Sequence, residues 1–175
     1  NPSSASDVYN TAVGYNAGGS VTTGVQNTLI GGLAGDALTT SSYNTAVGYS
    51  SLGATTTGAN NTGLGYNALG TNTTASNNVA VGHQALSANT TGTSHVAVGT
   101  YALDANTTAS NNTALGYQAL TTNTTGTSNT AVGQAALSSN ATGGSNTAVG
   151  RQALLANTGS SNTAVGYQSL YANTT

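Results

Sequence analysis

The sequence predicts an all-β fold, a parallel β-solenoid (β-roll) of ten coils of about 17 residues each. Three observations carry this expectation. A motif of the form Asn-Thr-Ala-Val-Gly starts at Asn10, Asn27, Asn44, Asn61, Asn78, His95, Asn112, Asn129, Asn146 and Asn162. The first eight intervals are 17 residues and the last is 16, the missing residue falling in the loop between Asn157 and Ser161. The third observation is the make-up of the unit: Gly, Thr, Asn and Ser fill most of each repeat, and all of them disfavour helix interiors.

Counted from the Asn that opens each coil, the first strand is expected at positions two to four, where residues alternate between two faces. The fourth position is aliphatic throughout: Val13, Ile30, Val47, Leu64, Val81, Val98, Leu115, Val132, Val149 and Val165. Read as one stacked column, it is the expected core. The second position is Thr in eight coils and Val in two, Val79 and Val96, and so is expected inside or at the core edge. The ninth position supplies a second apolar wall through Leu52, Leu69, Leu86, Leu103, Leu120, Leu137, Leu154 and Leu170.

The other side of the strand then carries Ala at position three and Gly at position five. That face is smooth enough for close contact with another chain, unless the Gly column only turns the corner of each coil. In the remaining stretch, Asn-Thr-Thr-Gly/Ala-x-Ser supplies turn chemistry, with Gly expected to take positive φ. The Asn column from Asn72 through Asn89, Asn106, Asn123, Asn140, Asn157 and Asn173 is expected to form an amide ladder along the axis. Residues 1–9 read as an N-terminal extension and 10–175 as the repeat domain. At roughly 4.8 Å per coil, ten coils make a rod about 48 Å long.

Composition limits what such a rod can do. Only 2% of residues are charged, against about a quarter in ordinary soluble domains, and the net charge is −2 with one Arg. A chain with one cation cannot neutralise a run of phosphates, so no nucleic-acid partner is expected. No apolar run is long enough to span a bilayer, so no membrane insertion is expected in this segment. There is no Cys, hence no thiolate metal site or disulfide. The three acidic residues, Asp7, Asp36 and Asp104, lie in no calcium-binding pattern, and no metal or cofactor is expected.

Asn78-Val79-Ala80-Val81-Gly82 and His95-Val96-Ala97-Val98-Gly99 resemble the Ser-Val-Ala-Ile-Gly head repeats of YadA-like trimeric autotransporter adhesins. The resemblance covers nearly the whole chain, and similar repeats occur in phage tail-fibre-like proteins. It implies left-handed parallel β-rolls bundled as a homotrimer, with positions such as Val79 and Val81 inside each roll. This sequence departs from that pattern in placing Thr before Ala in eight coils and in its longer coil.

Nothing brings a nucleophile, a base and a pocket together, so no enzyme is expected. The sixth-position column Tyr15, Tyr49, Tyr66, Tyr117 and Tyr167, with His83 and Arg151 as variants, is the candidate surface-binding or inter-chain ladder, because aromatic rings in a row stack on sugars or on a neighbouring chain. His95 is expected to cap a coil in place of Asn. Eight Asn-x-Ser/Thr sequons occur, at Asn60, Asn72, Asn89, Asn106, Asn111, Asn123, Asn140 and Asn173, and those from Asn72 to Asn140 would line one edge with glycan in a glycosylating host.

The function expected from all this is a non-enzymatic extracellular fibre or adhesin-head segment, on a cell-surface appendage or a virion. Its expected partners are itself, as a homotrimer or as an end-to-end filament grown from the coil edge at Thr175, and a host-surface or glycan ligand. A phage receptor-binding shaft is the near alternative. Ice binding by Thr columns is a further one, opposed by the expectation that Thr11, Thr28, Thr45 and Thr62 point inward with the core Val.

Overall fold

The computed structural model describes residues 8–174, and in it the chain is a β-solenoid. The expected N-terminal extension lies outside the described residues except for Val8 and Tyr9. Ten three-residue strands follow one another: β1 Thr11–Val13, β2 Thr28–Ile30, β3 Thr45–Val47, β4 Thr62–Leu64, β5 Val79–Val81, β6 Val96–Val98, β7 Thr113–Leu115, β8 Thr130–Val132, β9 Thr147–Val149 and β10 Thr163–Val165. They form one parallel sheet in sequence order, and every register pairs like positions, for example Ala80 with Ala97 and Val81 with Val98.

Parallel stacking at one coil per strand sends backbone bonds along the axis almost everywhere. The Thr62 N–H donates to the Asn78 carbonyl of the next coil, while the Gly65 N–H donates back to Val47 of the previous one. Each reversal of direction needs a change of backbone hand. Left-handed φ recurs at the fifth, seventh, ninth and seventeenth positions, illustrated by Gly116 (142°), Gln118 (55°), Leu120 (52°) and Ser128 (59°). In this Thr-rich chain, no Thr, Val or Ile occupies any described left-handed position. A β-branched side chain is the most costly choice there.

The interior is filled from two sides, and its composition corrects the strand reading. Position three, not position four, faces in: Ala46, Ala80, Ala97, Ala114, Ala131 and Ala148 are fully buried. They meet the buried column Leu52, Leu69, Leu86, Leu103, Leu120, Leu137 and Leu154, with the eighth-position Ala residues between them. The expected core column Val13, Ile30, Val47, Leu64, Val81, Val98, Leu115, Val132, Val149 and Val165 instead lies on the outward face: Val47, Leu64, Val81 and Val132 are half-buried, and the others are exposed, from 36% at Leu115 to 70% at Val165. The Thr of position two shares that face. Leu170, in the last coil, is half exposed and is not part of the core.

The physical reason is volume. A Leu reaching across from the ninth position leaves room opposite it for little more than a methyl group. Where position three is itself large, at Leu29, the ninth position in its own coil and the preceding one is Gly: a Cβ on Gly18 would sit 2.7 Å from Leu29 Cδ1, and one on Gly35 2.8 Å from Leu29 Cδ2. In these coils Val21 and Leu38, at position twelve, supply the apolar bulk. Gly63 at position three makes room in the same way for the Ser51 hydroxyl, which donates to the Gly63 carbonyl at 2.9 Å.

The fifth-position glycines turn the corner of each coil. Besides φ near 130°, a Cβ there would lie 2.5–2.7 Å from the carbonyl group of the next coil's Gly. With Ala facing the core, the smooth outer Ala–Gly face does not exist. The turn glycines at position fifteen, such as Gly58 and Gly92, do not adopt left-handed φ. They are small because the neighbouring coil's carbonyl lies against them.

Candidate interaction face

A large part of the interior is amide rather than hydrocarbon. At position one, each side-chain Oδ1 accepts the backbone N–H of the next coil's first residue, as in Asn44 to Asn61 (2.9 Å) and Asn129 to Asn146 (2.9 Å). The Nδ2 donates across the coil to the carbonyl of position fifteen, Asn61 to Ala75 and Asn129 to Gly143. At position twelve, Nδ2 donates to the Oδ1 of the previous coil's Asn: Asn89 to Asn72 (3.0 Å), Asn106 to Asn89 (2.9 Å) and Asn123 to Asn106 (3.2 Å). The expected amide ladder is therefore present. It has one break, since Asn140 Nδ2 turns to Gly143 alone and the buried Oδ1 of Asn123 has no partner.

This burial corrects the glycosylation expectation. Asn72, Asn89, Asn106, Asn123 and Asn140 are fully buried, each with its amide nitrogen donating to an inward acceptor, and cannot carry glycan in the folded solenoid. Only Asn60 and Asn111 among the sequons stand exposed, both at position seventeen.

His95 takes the place of an Asn in the first column. Its backbone N–H donates to Asn78 Oδ1 at 3.0 Å, its Nδ1 accepts the Asn112 backbone N–H at 3.2 Å, and Nε2 lies 2.6 Å from the Ala109 carbonyl. The two contacts require the neutral tautomer with the proton on Nε2. Burial holds the imidazole's pKa below its ordinary 6.5, with part of that effect offset by the Ala109 carbonyl.

The aromatic column lies along an exposed corner. Tyr49 stacks on Tyr66 (5.8 Å, 11° between planes) and Tyr66 on His83 (5.1 Å, 12°). Tyr101, from position seven, meets His83 edge-on at 5.4 Å. Further along, the Arg151 guanidinium lies 5.6 Å from the Tyr167 ring centre and donates from Nε to Gln134. Tyr15 and Tyr117 are exposed without a ring neighbour among the described residues. Stacking turns the Tyr66 faces toward its neighbours and leaves edges and hydroxyls to solvent. Sugar stacking, which needs a free ring face, has little to use there.

The feature that sequence reasoning missed is the outward sheet face. Two straight columns, Thr with Val79 and Val96 at position two and aliphatic residues at position four, run the length of the solenoid with no charged residue in either. Val13, Ile30, Val96, Val98, Leu115, Val149 and Val165 are exposed large hydrophobics on this one strip. Aliphatic side chains left in solvent along one face of a chain are unusual enough to make this strip the candidate interaction face. The signal available in the sequence was the exchange of size between Leu29 and Gly18/Gly35, which fixes position three as the inward one.

Among the described residues no three His, Cys, Asp or Glu side chains come together to hold a metal ion, and no helix is long and apolar enough to cross a membrane. A cavity of about 230 Å³ at the first coil is lined by Asn10, Ala12, Ala17, Gly18, Val21 and Leu29 and contains no titratable side chain.

Fold and surface together define a solenoid repeat protein with a buried amide ladder and an uncharged, partly apolar sheet face. Compared with protein-family models, curated proteins and solved structures, the chain matches none.

Proposed function

We propose that the chain is a non-enzymatic structural segment of an extracellular fibre, on a cell-surface appendage or a virion, which assembles by burying its outward Thr/Val face against further copies of itself. The observation that carries this reading is that face: ten coils long, uncharged, and holding the aliphatic column that a monomer leaves in water. The rest of the surface is hydroxyl- and amide-rich, suited to remaining soluble outside a cell with almost no charge. Light scattering on the purified chain tests it. The expected result is a species larger than one chain, reduced to a folded monomer by Val81→Lys together with Val98→Lys. A wild-type chain that stays monomeric at high concentration would sink the reading.

A second reading rests on the same face. The Thr column points outward, contrary to the sequence expectation, and repeats at the coil spacing on a rigid sheet, as an ice-binding surface requires. Thermal hysteresis in a freezing assay decides it: a measurable gap abolished by Thr45→Lys with Thr130→Lys supports ice binding, and no gap removes it.

A further inference from the structure

We infer that two copies pair through the outward face with their axes antiparallel, about a two-fold axis that runs between β5 and β6. This deepens the self-assembly reading above and rests on it. The observation is a mirror symmetry in the outward columns. Moving away from the β5–β6 junction in either direction, position two reads Val, Thr, Thr, Thr, Thr. Position four reads Val, Leu, Val, then Ile30 on one side against Val149 on the other, then Val. One methylene separates the two halves.

The symmetry is confined to the side chains that leave the solenoid. Inward position three keeps Ala against Ala in three of its five mirror pairs but breaks the pattern by large changes of volume in the other two, Leu29 against Ala148 and Gly63 against Ala114. The exposed sixth position keeps Tyr15 against Tyr167 and Tyr66 against Tyr117 but sets Gly32 against Arg151, Tyr49 against Gln134 and His83 against Thr100. Core packing therefore does not impose the mirror pattern, and neither does exposure alone.

An isologous two-fold contact would use it, because each residue then meets the partner's residue at the mirror-related coil, and the pattern sets like against like. With the two-fold axis along the strand direction, coil by coil the aliphatic column meets the aliphatic column and Thr meets Thr. Leu64 then faces the partner's Leu115 level, and the Val pairs of β5 and β6 face each other at the centre. A parallel arrangement would set Thr rows against Val rows and make no demand for a palindrome. The face bears no charge, so a second copy brings no repulsion. A strip of roughly 48 by 10 Å gives about 1,000 Å² for the pair, at the lower end of specific interfaces.

The absence of Cys from the chain makes the test direct. Val47→Cys and Val132→Cys, each on the outward column and five coils apart, are prepared separately with tags of different mass and treated with a short bismaleimide, alone and mixed. Antiparallel pairing predicts cross-linked heterodimer in the mixture and little homodimer from either variant alone, since like positions would be about 24 Å apart. Homodimers or homotrimers from single variants mean parallel association: the inference falls while self-assembly stands. No cross-link in any mixture, together with a monomer by light scattering, overturns both.

Discussion

The Nδ1 of His95 accepts the Asn112 backbone N–H at 3.2 Å, in the place where the Oδ1 of Asn112 accepts that of Asn129 at 2.8 Å. An imidazole thus does the work of an amide within a column otherwise made of Asn. The substitution adds a titratable group to the interior. Protonation would place an N–H on Nδ1 directly against the Asn112 N–H.

Acid is therefore expected to weaken the coils around His95. Its folded pKa is held below the ordinary 6.5, chiefly by burial, so below that value the unfolded chain takes up the proton first. The contribution is fully present above about pH 6.5 and is lost as pH falls toward the depressed folded value. Urea midpoints at pH 7.5 and pH 5 should differ for the wild type, and His95→Asn should shrink that difference. An unchanged pH dependence in His95→Asn would show that the acid response lies elsewhere.

Inside and outside of the strand are separable by paired substitutions. Leu86→Ala empties a fully buried site and is expected to cost about 2–5 kcal/mol. Val81→Ala, on the outward face, should cost a monomer less than about 1 kcal/mol. Chemical denaturation of both variants checks the order, and equal losses would contradict the inward Ala assignment.

Ser51 and Gly63 are expected to be coupled. A Cβ on Gly63 would lie 2.5 Å from Ser51 Oγ, so Gly63→Ala alone should destabilise. With Ser51→Ala added, the pair becomes the Ala–Ala arrangement that Ala68 and Ala80 already form one coil later. A double-mutant cycle should return a coupling of about 1–2 kcal/mol in favour of the double variant. Additive losses would refute the fit.

Left-handed backbone at position seven makes a last prediction. Gln118 has φ of 55° and a partly exposed side chain, so little packing is at stake. Gln118→Thr should cost about 1–2 kcal/mol through the β-branch, whereas Gln118→Gly should be close to neutral or stabilising. Thermal melts of the two variants distinguish backbone strain from side-chain loss.

Much of the site could be read in advance, and the misreadings share one cause. The Leu wall and the position-twelve amide ladder were legible because each column repeats a single chemical type every seventeen residues. The glycosylation reading treated Asn72 to Asn140 as surface residues, because a motif reports sequence and not which way an amide turns. Asn at position twelve faces the interior, where the carbonyl of position fifteen, three residues on, is its partner.

By itself the sequence determined the period, the parallel in-register stacking and the absence of charge from the strand columns at positions two to four. These follow from like residues recurring at equal spacing, so that each coil solves the same packing problem as the one before. Which side of Thr-Ala-Val turns inward was decided only by the tertiary structure. Strand alternation allows both choices, and hydropathy favours burying Val, but Leu side chains crossing from the far wall leave space for nothing larger than Ala. That limit of volume sends the aliphatic column outward and creates the uncharged, partly apolar sheet face.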